Sequence, residues 1–198
     1  MSDNVLDRLM RLREQMRIEG VAACIVTNSD PHHSEYSGLH WLAREYVSGF
    51  TGSAGDLVIL ADGGGLWTDG RYFIQAENQL SGTGLTLFRQ RIEGTPTIAQ
   101  HLAAVLENGD GVAVAGDSIS AEMYNELRAA LAAANLELRT DLNLVQRVWL
   151  DRPDRSIAPV LDYPVEFAGQ TVPEKLLDIR SDLAAGNLQQ LLLSALPD

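Results

Sequence analysis

Short apolar runs alternate with segments of helical periodicity between residues 3 and 138, and this alternation restricts the fold more than any other feature of the sequence. The apolar runs are 21–26, 57–61, 85–88, 112–115 and 136–138. An apolar run without polar alternation, such as 21–26, is typical of a strand covered on both faces. Strands that alternate with helices predict an α/β domain, in which a mixed or largely parallel sheet is flanked by helices.

The predicted helices occupy the intervals between these runs. They are expected over 3–19, from Asp69, from Thr95-Pro96 and from Ser120. Gly20 ends the first helix, Asp69 is the expected N-cap of the second, and Pro96 suits the first helical position of the third. Residues 34–48 are ambiguous, because Gly38 interrupts their helical spacing.

The glycine-rich segment GFTGSAG places Gly49, Gly52 and Gly55 just ahead of the apolar run 57–61. A phosphate-binding loop needs a helix N-terminus whose free N–H groups point at the anion, but here a strand follows. The spacing also matches neither GxGxxG nor GxxxxGK[ST]. We therefore interpret this segment as a tight loop whose glycines permit positive φ angles and close backbone packing.

Arg71 lies in the segment WTDGRYF, residues 67–73, which turns a predicted strand into a predicted helix. A cation in the first turn of a helix opposes the positive end of the helix dipole, at a cost of roughly 0.3–1 kcal/mol. One explanation is a local ion pair with Asp69 or Glu77, although such exposed pairs typically contribute less than about 1 kcal/mol. The other is that the planar guanidinium binds a substrate carboxylate. The residues alone leave both explanations open.

Other candidate sites are weaker. The histidine-rich stretch suggests a metal site, with His32, His33, Glu35 and His40 as its candidate ligands. Adjacent histidines rarely both reach one ion, and no second cluster supplies the missing ligands. Ser34 and Ser53 lie in no GxSxG elbow, so neither is expected to be a nucleophile. No catalytic residue is predicted in this segment of chain.

The charge balance excludes one large class of partner. The formal net charge is -12, with 15 basic residues scattered among 27 acidic ones. Because phosphate binding needs clustered Lys and Arg, nucleic acid is not an expected partner. No stretch approaches the roughly 20 apolar residues of a membrane span, and the polar N-terminus is unlike a secretory signal. The expected location is the cytoplasm.

The texture of the sequence changes after residue 152. Four of the seven prolines lie between Pro153 and Pro173, which predicts an interdomain linker over 153–172. Thr171 and Glu174 predict a capping box that opens a helix, Gly186 is its expected end, and 191–193 is a candidate strand. The last residues, 173–198, are too few for a core of their own. We expect them to be either an appendage on the domain formed by residues 1–152 or the truncated beginning of a second α/β domain, and the second interpretation is favoured.

Three motifs in order resemble the N-terminal region of Xaa-Pro aminopeptidases (aminopeptidase P) of the creatinase and prolidase superfamily. They are NSDPHHSEY at 28–36, SGFTGSAG at 48–55 and WTDGRYF at 67–73. Two shorter segments, NLV at 143–145 and WLDRP at 149–153, are similar to the end of that family's first domain. FAG at 167–169 is similar to the start of its second domain. The resemblance therefore runs through essentially the whole chain.

The resemblance implies a cytosolic, usually dimeric, three-domain enzyme. Such an enzyme releases the N-terminal residue from peptides with proline at the second position. Its C-terminal pita-bread domain binds two divalent metal ions, commonly manganese, but no motif of this chain matches those ligands. The implication is a non-catalytic N-terminal domain that serves dimerisation, access to the active site and substrate contact. On this expectation the fragment alone binds no cofactor and is inactive.

The resemblance also implies one site residue. In this family the arginine matched by Arg71 helps to bind substrate at the active site. His33 departs from the family pattern, because relatives often have glutamine there. Two alternatives stay open at this point: a free-standing binding or dimerisation module derived from an inactive relative, and a nucleotide-binding α/β domain that uses the segment Gly49 to Gly55.

Overall fold

A six-stranded mixed sheet spans residues 23–139 in the computed structural model, which describes residues 4–159 and 161–193. The strands are β1 (Ala23–Val26), β2 (Asp56–Leu60), β3 (Gly64–Thr68), β4 (Thr86–Arg89), β5 (Gly111–Val114) and β6 (Glu137–Arg139). Their order in the sheet is β4-β3-β2-β1-β5-β6. β2 runs antiparallel to both β1 and β3, and the other neighbouring pairs are parallel. The α/β class with a mixed sheet is confirmed.

The described part of the chain contains eight α-helices. They are α1 (Val5–Glu19), α2 (Ala43–Ser48), α3 (Phe73–Leu80), α4 (Ile98–Val105), α5 (Ala121–Ala133), α6 (Leu144–Val148), α7 (Val165–Ala168) and α8 (Val172–Ala185). Two single 3₁₀ turns lie at Leu39–Trp41 and Gly116–Ser118. The ambiguous stretch 34–48 thus divides into a 3₁₀ turn and the short helix α2. None of the helices among the described residues is long and apolar enough to cross a bilayer.

The sheet is buried on both faces by two separate apolar cores. Alternation along the strands decides the face: in β1, Cys24 packs with α1, α2, α3 and α6, whereas Ile25 packs with α4 and α5. In β3, Leu66 and Trp67 divide in the same way. Every residue of β1 is buried, as the unalternating apolar run 21–26 predicts.

Helix ends follow the local chemistry of the chain, and two of the predicted starts are wrong. Gly20 ends α1 in the left-handed conformation, and Ser120 caps α5, both as predicted. However, α4 begins after Thr97, whose hydroxyl forms a capping box with Gln100, rather than at Thr95-Pro96. Asp69, the predicted N-cap, does not begin α3 either. Its side chain accepts a hydrogen bond from the backbone N–H of Arg71, and α3 begins at Phe73.

The chain divides into two compact units, Met1–Arg155 and Ser156–Asp198. In the second unit, Thr171 and Glu174 form the predicted capping box of α8, and Gly186 ends that helix. The predicted strand 191–193 is wrong: the described residues there form no strand. A strand needs a neighbour for its backbone hydrogen bonds, and the described part of the second unit offers none. The predicted domain boundaries at 152 and 172 stay predictions; α7 forms inside the predicted linker.

The second unit has no core among its described residues. None of the residues 161–193 is buried, although α8 carries a row of apolar side chains. Leu176 of α8, for example, is 42% exposed. An apolar helix face of this kind normally packs against another element.

The hairpin between β2 and β3 provides a test of the backbone packing. Gly63 and Gly64 both have positive φ, but a Cβ at Gly63 meets no atom within 4 Å, whereas one at Gly64 would lie 2.3 Å from the carbonyl oxygen of Val58. We expect Gly63→Ala to lower the free energy of unfolding by roughly 1–2 kcal/mol through its dihedral angle alone. Gly64→Ala should cost on the order of 3 kcal/mol, since overpacking adds to that strain. Urea unfolding followed by tryptophan fluorescence measures both, and equal losses would contradict this packing.

Candidate functional site

Residues 69–72, here called the Arg71 turn, connect the end of β3 to the start of α3. Asp69 Oδ1 accepts a hydrogen bond of 3.0 Å from the backbone N–H of Arg71, and the Asp69 carbonyl accepts one of 3.0 Å from the backbone N–H of Tyr72. An Asp side chain that bonds the backbone two residues ahead stabilises a turn in place of a helix. The helix therefore begins only at Phe73.

This turn corrects the expected position of Arg71. The residue precedes α3 by two positions, so its predicted place in the first turn of the helix is wrong. The helix dipole therefore does not explain Arg71, because its cost applies to a cation inside the first turn. The reason for an arginine at this position must come from its contacts.

Asp69 and Arg71 form an ion pair with two hydrogen bonds. Arg71 Nε donates to Asp69 Oδ1 at 2.9 Å, and Nη2 donates to Oδ2 at 2.7 Å. These bonds lower the pKa of Asp69 to about 2 and raise the pKa of Arg71. Of the two local partners that the sequence suggests, Asp69 is the one found, whereas Glu77 pairs with Arg89. The Arg71 side chain is nevertheless 67% exposed.

An aromatic ring and three hydroxyl groups hold the Arg71 turn in place. The guanidinium carbon of Arg71 lies 5.2 Å from the centre of the Tyr72 ring, within the range of a cation–π contact. The Tyr72 hydroxyl is 2.6 Å from Ser53 Oγ, and Thr68 Oγ1 donates to the Ala54 carbonyl at 2.7 Å. The turn is thereby tied to the segment that carries Ser53 and Ala54. Arg71 is exposed but oriented.

That segment, Gly49–Gly55, is the glycine loop. It follows the C-terminus of α2 and leads into β2, so the chain does not pass from this loop into a helix. Gly49 and Gly55 have positive φ angles of 73° and 132°. A Cβ on Gly52 would lie 2.3 Å from the Phe50 ring and 2.8 Å from the Tyr72 ring. The interpretation as a tight loop with close packing is confirmed.

Arg44 of α2 forms hydrogen bonds that stabilise the glycine loop. It is only 1% exposed, and Nη1 donates to the Gly55 carbonyl at 2.8 Å while Nη2 donates to the Gly52 carbonyl. Its guanidinium carbon lies 4.8 Å from the centre of the Phe50 ring. Burial lowers the pKa of Arg44 to about 10, and the charge of nearby Asp56 opposes that shift. Burial likewise raises the pKa of Asp56.

Sequence reasoning missed Arg44. Its position next to the inward-facing Tyr46 and Val47 was the available signal, because an arginine in a short buried helix must find internal acceptors. The ambiguity of residues 34–48 concealed that helix.

The first of the three motifs, residues 28–36, also contacts the glycine loop. Asn28 Nδ2 donates to the Ser53 carbonyl at 2.7 Å, and Asp30 Oδ1 accepts from the backbone N–H groups of His32 and Ser34 at 2.8 and 3.1 Å. A cleft of about 140 Å³ opens between the first two motifs. Its lining includes Asn28, Glu35, Tyr36, Arg44, Thr51 and Ser53. The structure thus brings the three sequence motifs together.

The remaining candidates do not converge on a metal or a nucleophile. Among the described residues, no three His, Cys, Asp or Glu side chains lie close enough to hold a metal ion. His40 Nδ1 lies 2.7 Å from the Pro153 carbonyl, where it holds the end of the first unit. Ser53 Oγ is engaged by the Tyr72 hydroxyl, and no base of the described residues is bonded to it.

Comparison with known proteins identifies the domain that carries these three motifs. The model of the creatinase/prolidase N-terminal domain family matches residues 8–147. The chain belongs to this family. The match spans the whole mixed sheet, the first motif at 28–36, the glycine loop and the Arg71 turn.

The curated relatives are much longer proteins. Aminopeptidase P2 of Arabidopsis thaliana is 35% identical over 99% of this creatinase/prolidase N-terminal chain, which covers 28% of that protein. The Xaa-Pro aminopeptidase ApepP of Drosophila melanogaster is 36% identical over 96% of the chain, which covers 32% of it. The chain therefore spans about three tenths of the length of these relatives.

Solved structures show the same fold. An X-prolyl aminopeptidase from Caenorhabditis elegans, described as a cytosolic enzyme with a di-nuclear active site, superposes with a TM-score of 0.79 at 30% identity. The match covers 93% of this chain and 32% of that one. The N-terminal domain of the cytoplasmic peptidase PepQ from Mycobacterium tuberculosis H37Rv matches 72% of this chain and 98% of its own, with a TM-score of 0.54 at 26% identity.

The buried position of Arg44 provides the second test. Arg44→Met removes the charge beside Asp56 and leaves the carbonyls of Gly52 and Gly55 without their donor. We expect the free energy of unfolding to fall by about 3–5 kcal/mol, as when one partner of a buried charged contact is removed.

The matched control is Arg17→Met. Arg17 is 73% exposed and pairs with Glu14 on the helix surface, so its loss should cost within about 0.5 kcal/mol. Chemical denaturation measures both variants. Similar stabilities of the two variants would show that Arg44 does not support the loop.

Proposed function

We propose that this chain is the N-terminal, non-catalytic part of a metal-dependent Xaa-Pro aminopeptidase. The whole enzyme would release the N-terminal residue from peptides with proline at the second position. The proposal rests on the family membership, on relatives of that activity that match nearly the whole chain, and on their greater length. We further propose a cytoplasmic homodimer, in which this domain contributes to assembly and restricts access to the active site.

The observation that carries the substrate role is the Arg71 turn. Asp69 and the Tyr72 ring fix the direction of a guanidinium that is still 67% exposed. A local ion pair alone would not require this support from a second loop. A donor that is oriented before it binds loses less conformational entropy when a ligand arrives. Arg71 is thus proposed to contact the peptide.

The metal ions are proposed to belong to the catalytic domain. The described residues offer no cluster that fits a metal ion. Neither of the two ions expected from the resemblance, commonly manganese, is therefore proposed to bind to these residues. We propose that bond cleavage also takes place in the catalytic domain. The 198-residue chain alone is proposed to be inactive.

The proposed substrate contact is tested in the product of the full-length gene, loaded with manganese and assayed on Xaa-Pro-Xaa peptides. Arg71→Ala should lower kcat/KM by roughly 10- to 100-fold, the range of one lost hydrogen bond to a charged group. Arg139→Ala is the matched control, because Arg139 pairs with Asp141 in the same geometry, with bonds of 2.9 and 2.7 Å.

Two results would contradict the proposal in different ways. Equal activities of the Arg71→Ala and Arg139→Ala variants would remove the substrate role of Arg71. No cleavage by a folded, metal-loaded wild-type protein would overturn the enzyme itself, and would favour a binding or dimerisation module derived from an inactive relative.

A further inference from the structure

Asp69 occupies only one edge of the Arg71 guanidinium. A guanidinium carries five N–H donors. Asp69 accepts one bond from Nε and one from Nη2. No atom of the described residues accepts a bond from Nη1. The edge that faces away from Asp69 is therefore rich in donors, and it is available to a ligand.

The edge of Arg71 that faces away from Asp69 carries several hydrogen-bond donors, but the Arg71–Asp69 pair as a whole has little net charge. The pKa of Asp69 is lowered to about 2, so its carboxylate is ionised throughout the neutral range. The pair carries no net charge. The next charges are one of each sign: Glu35 acts on Arg71, and Arg91 acts on Asp69. Because the Asp69 carboxylate repels a second anion, a ligand carboxylate gains less at this edge than it would at an uncompensated arginine, whereas a neutral oxygen acceptor is not repelled.

We propose that Asp69 is a specificity-determining residue, which makes Arg71 a donor to a neutral backbone carbonyl of the peptide and disfavours a free C-terminal carboxylate at that position. The inference rests on the proposed function, because it requires that Arg71 contacts the peptide. Asp69 acts through Arg71 and is a positioning residue. Peptides that extend past Arg71 present a carbonyl there, whereas peptides that end at it present a carboxylate.

The variant Asp69→Asn separates charge from geometry. An asparagine side-chain oxygen can still accept the bond from the Arg71 backbone N–H, so the turn is retained. The negative charge is lost, and Arg71 becomes an uncompensated cation. Asp69→Glu restores the charge on a longer side chain. Asp141→Asn is the matched control, since Asp141 forms the same kind of pair with Arg139 at the end of β6.

The experiment compares Xaa-Pro peptides of three, four and five residues in the full-length, metal-loaded protein, each as a free acid and as a C-terminal amide. Among the amides, the shortest length at which Arg71→Ala lowers kcat/KM identifies the peptides whose last residue reaches Arg71. At that length, Asp69→Asn should raise the ratio of kcat/KM for acid over amide by about fivefold, the upper range for one exposed charge. Asp69→Glu and Asp141→Asn should leave the ratio at its wild-type value. The gain should shrink in 0.5 M salt, since salt screens exposed charges.

The outcomes distinguish the inference from the function beneath it. If Arg71→Ala has no effect at any length, the proposed substrate role of Arg71 fails. If Arg71→Ala impairs cleavage but Asp69→Asn leaves the acid-to-amide ratio of kcat/KM unchanged, the inference is wrong. Asp69 then has only a structural role, even if Asp69→Asn lowers kcat/KM for the acid and the amide equally. Should Asp69→Asn unfold the protein, Asp69→Ser provides the same test, because a serine hydroxyl forms a similar turn without charge.

Discussion

The hydrogen bonds from the buried Arg44 guanidinium to the carbonyls of Gly52 and Gly55 are the contacts on which the site depends. A tight glycine loop points carbonyl groups inward, and buried carbonyls without donors are costly. A single arginine satisfies two of them and stacks on Phe50. The charge of nearby Asp56 partly offsets the effect of burial on the pKa of Arg44. The glycines allow the close approach, and the cation makes it stable.

The glycine loop in turn orients side chains at the surface. Ser53 binds the Tyr72 hydroxyl, and the Tyr72 ring lies beside Arg71. The exposed guanidinium is therefore connected to the buried one through the loop between them. A substrate-binding side chain on a turn needs such support, because binding groups must be oriented before the ligand arrives. The proposed role of Arg71 follows from this connection and from the family of the domain.

Regular periodicity made the fold predictable, whereas local competition between side chains decided the site. The unalternating run of β1 and the caps of α1 and α5 follow from the sequence. The start of α3 did not, because the Asp69 side chain binds its own turn instead of capping a helix. Arg44 escaped notice since its acceptors lie eight and eleven residues away, in a loop whose path no propensity reveals. Both misses concern a side chain whose partner was chosen by packing rather than by spacing.

The most direct test of this account is a crystal structure of the full-length, metal-loaded protein with a slowly cleaved Xaa-Pro peptide analogue bound. The account predicts that a nitrogen of Arg71 lies about 2.7–3.2 Å from a backbone oxygen of the peptide. The Asp69 pair and the contact between Tyr72 and Ser53 should be intact in that complex. A bound peptide with no oxygen within hydrogen-bonding distance of Arg71 would contradict it.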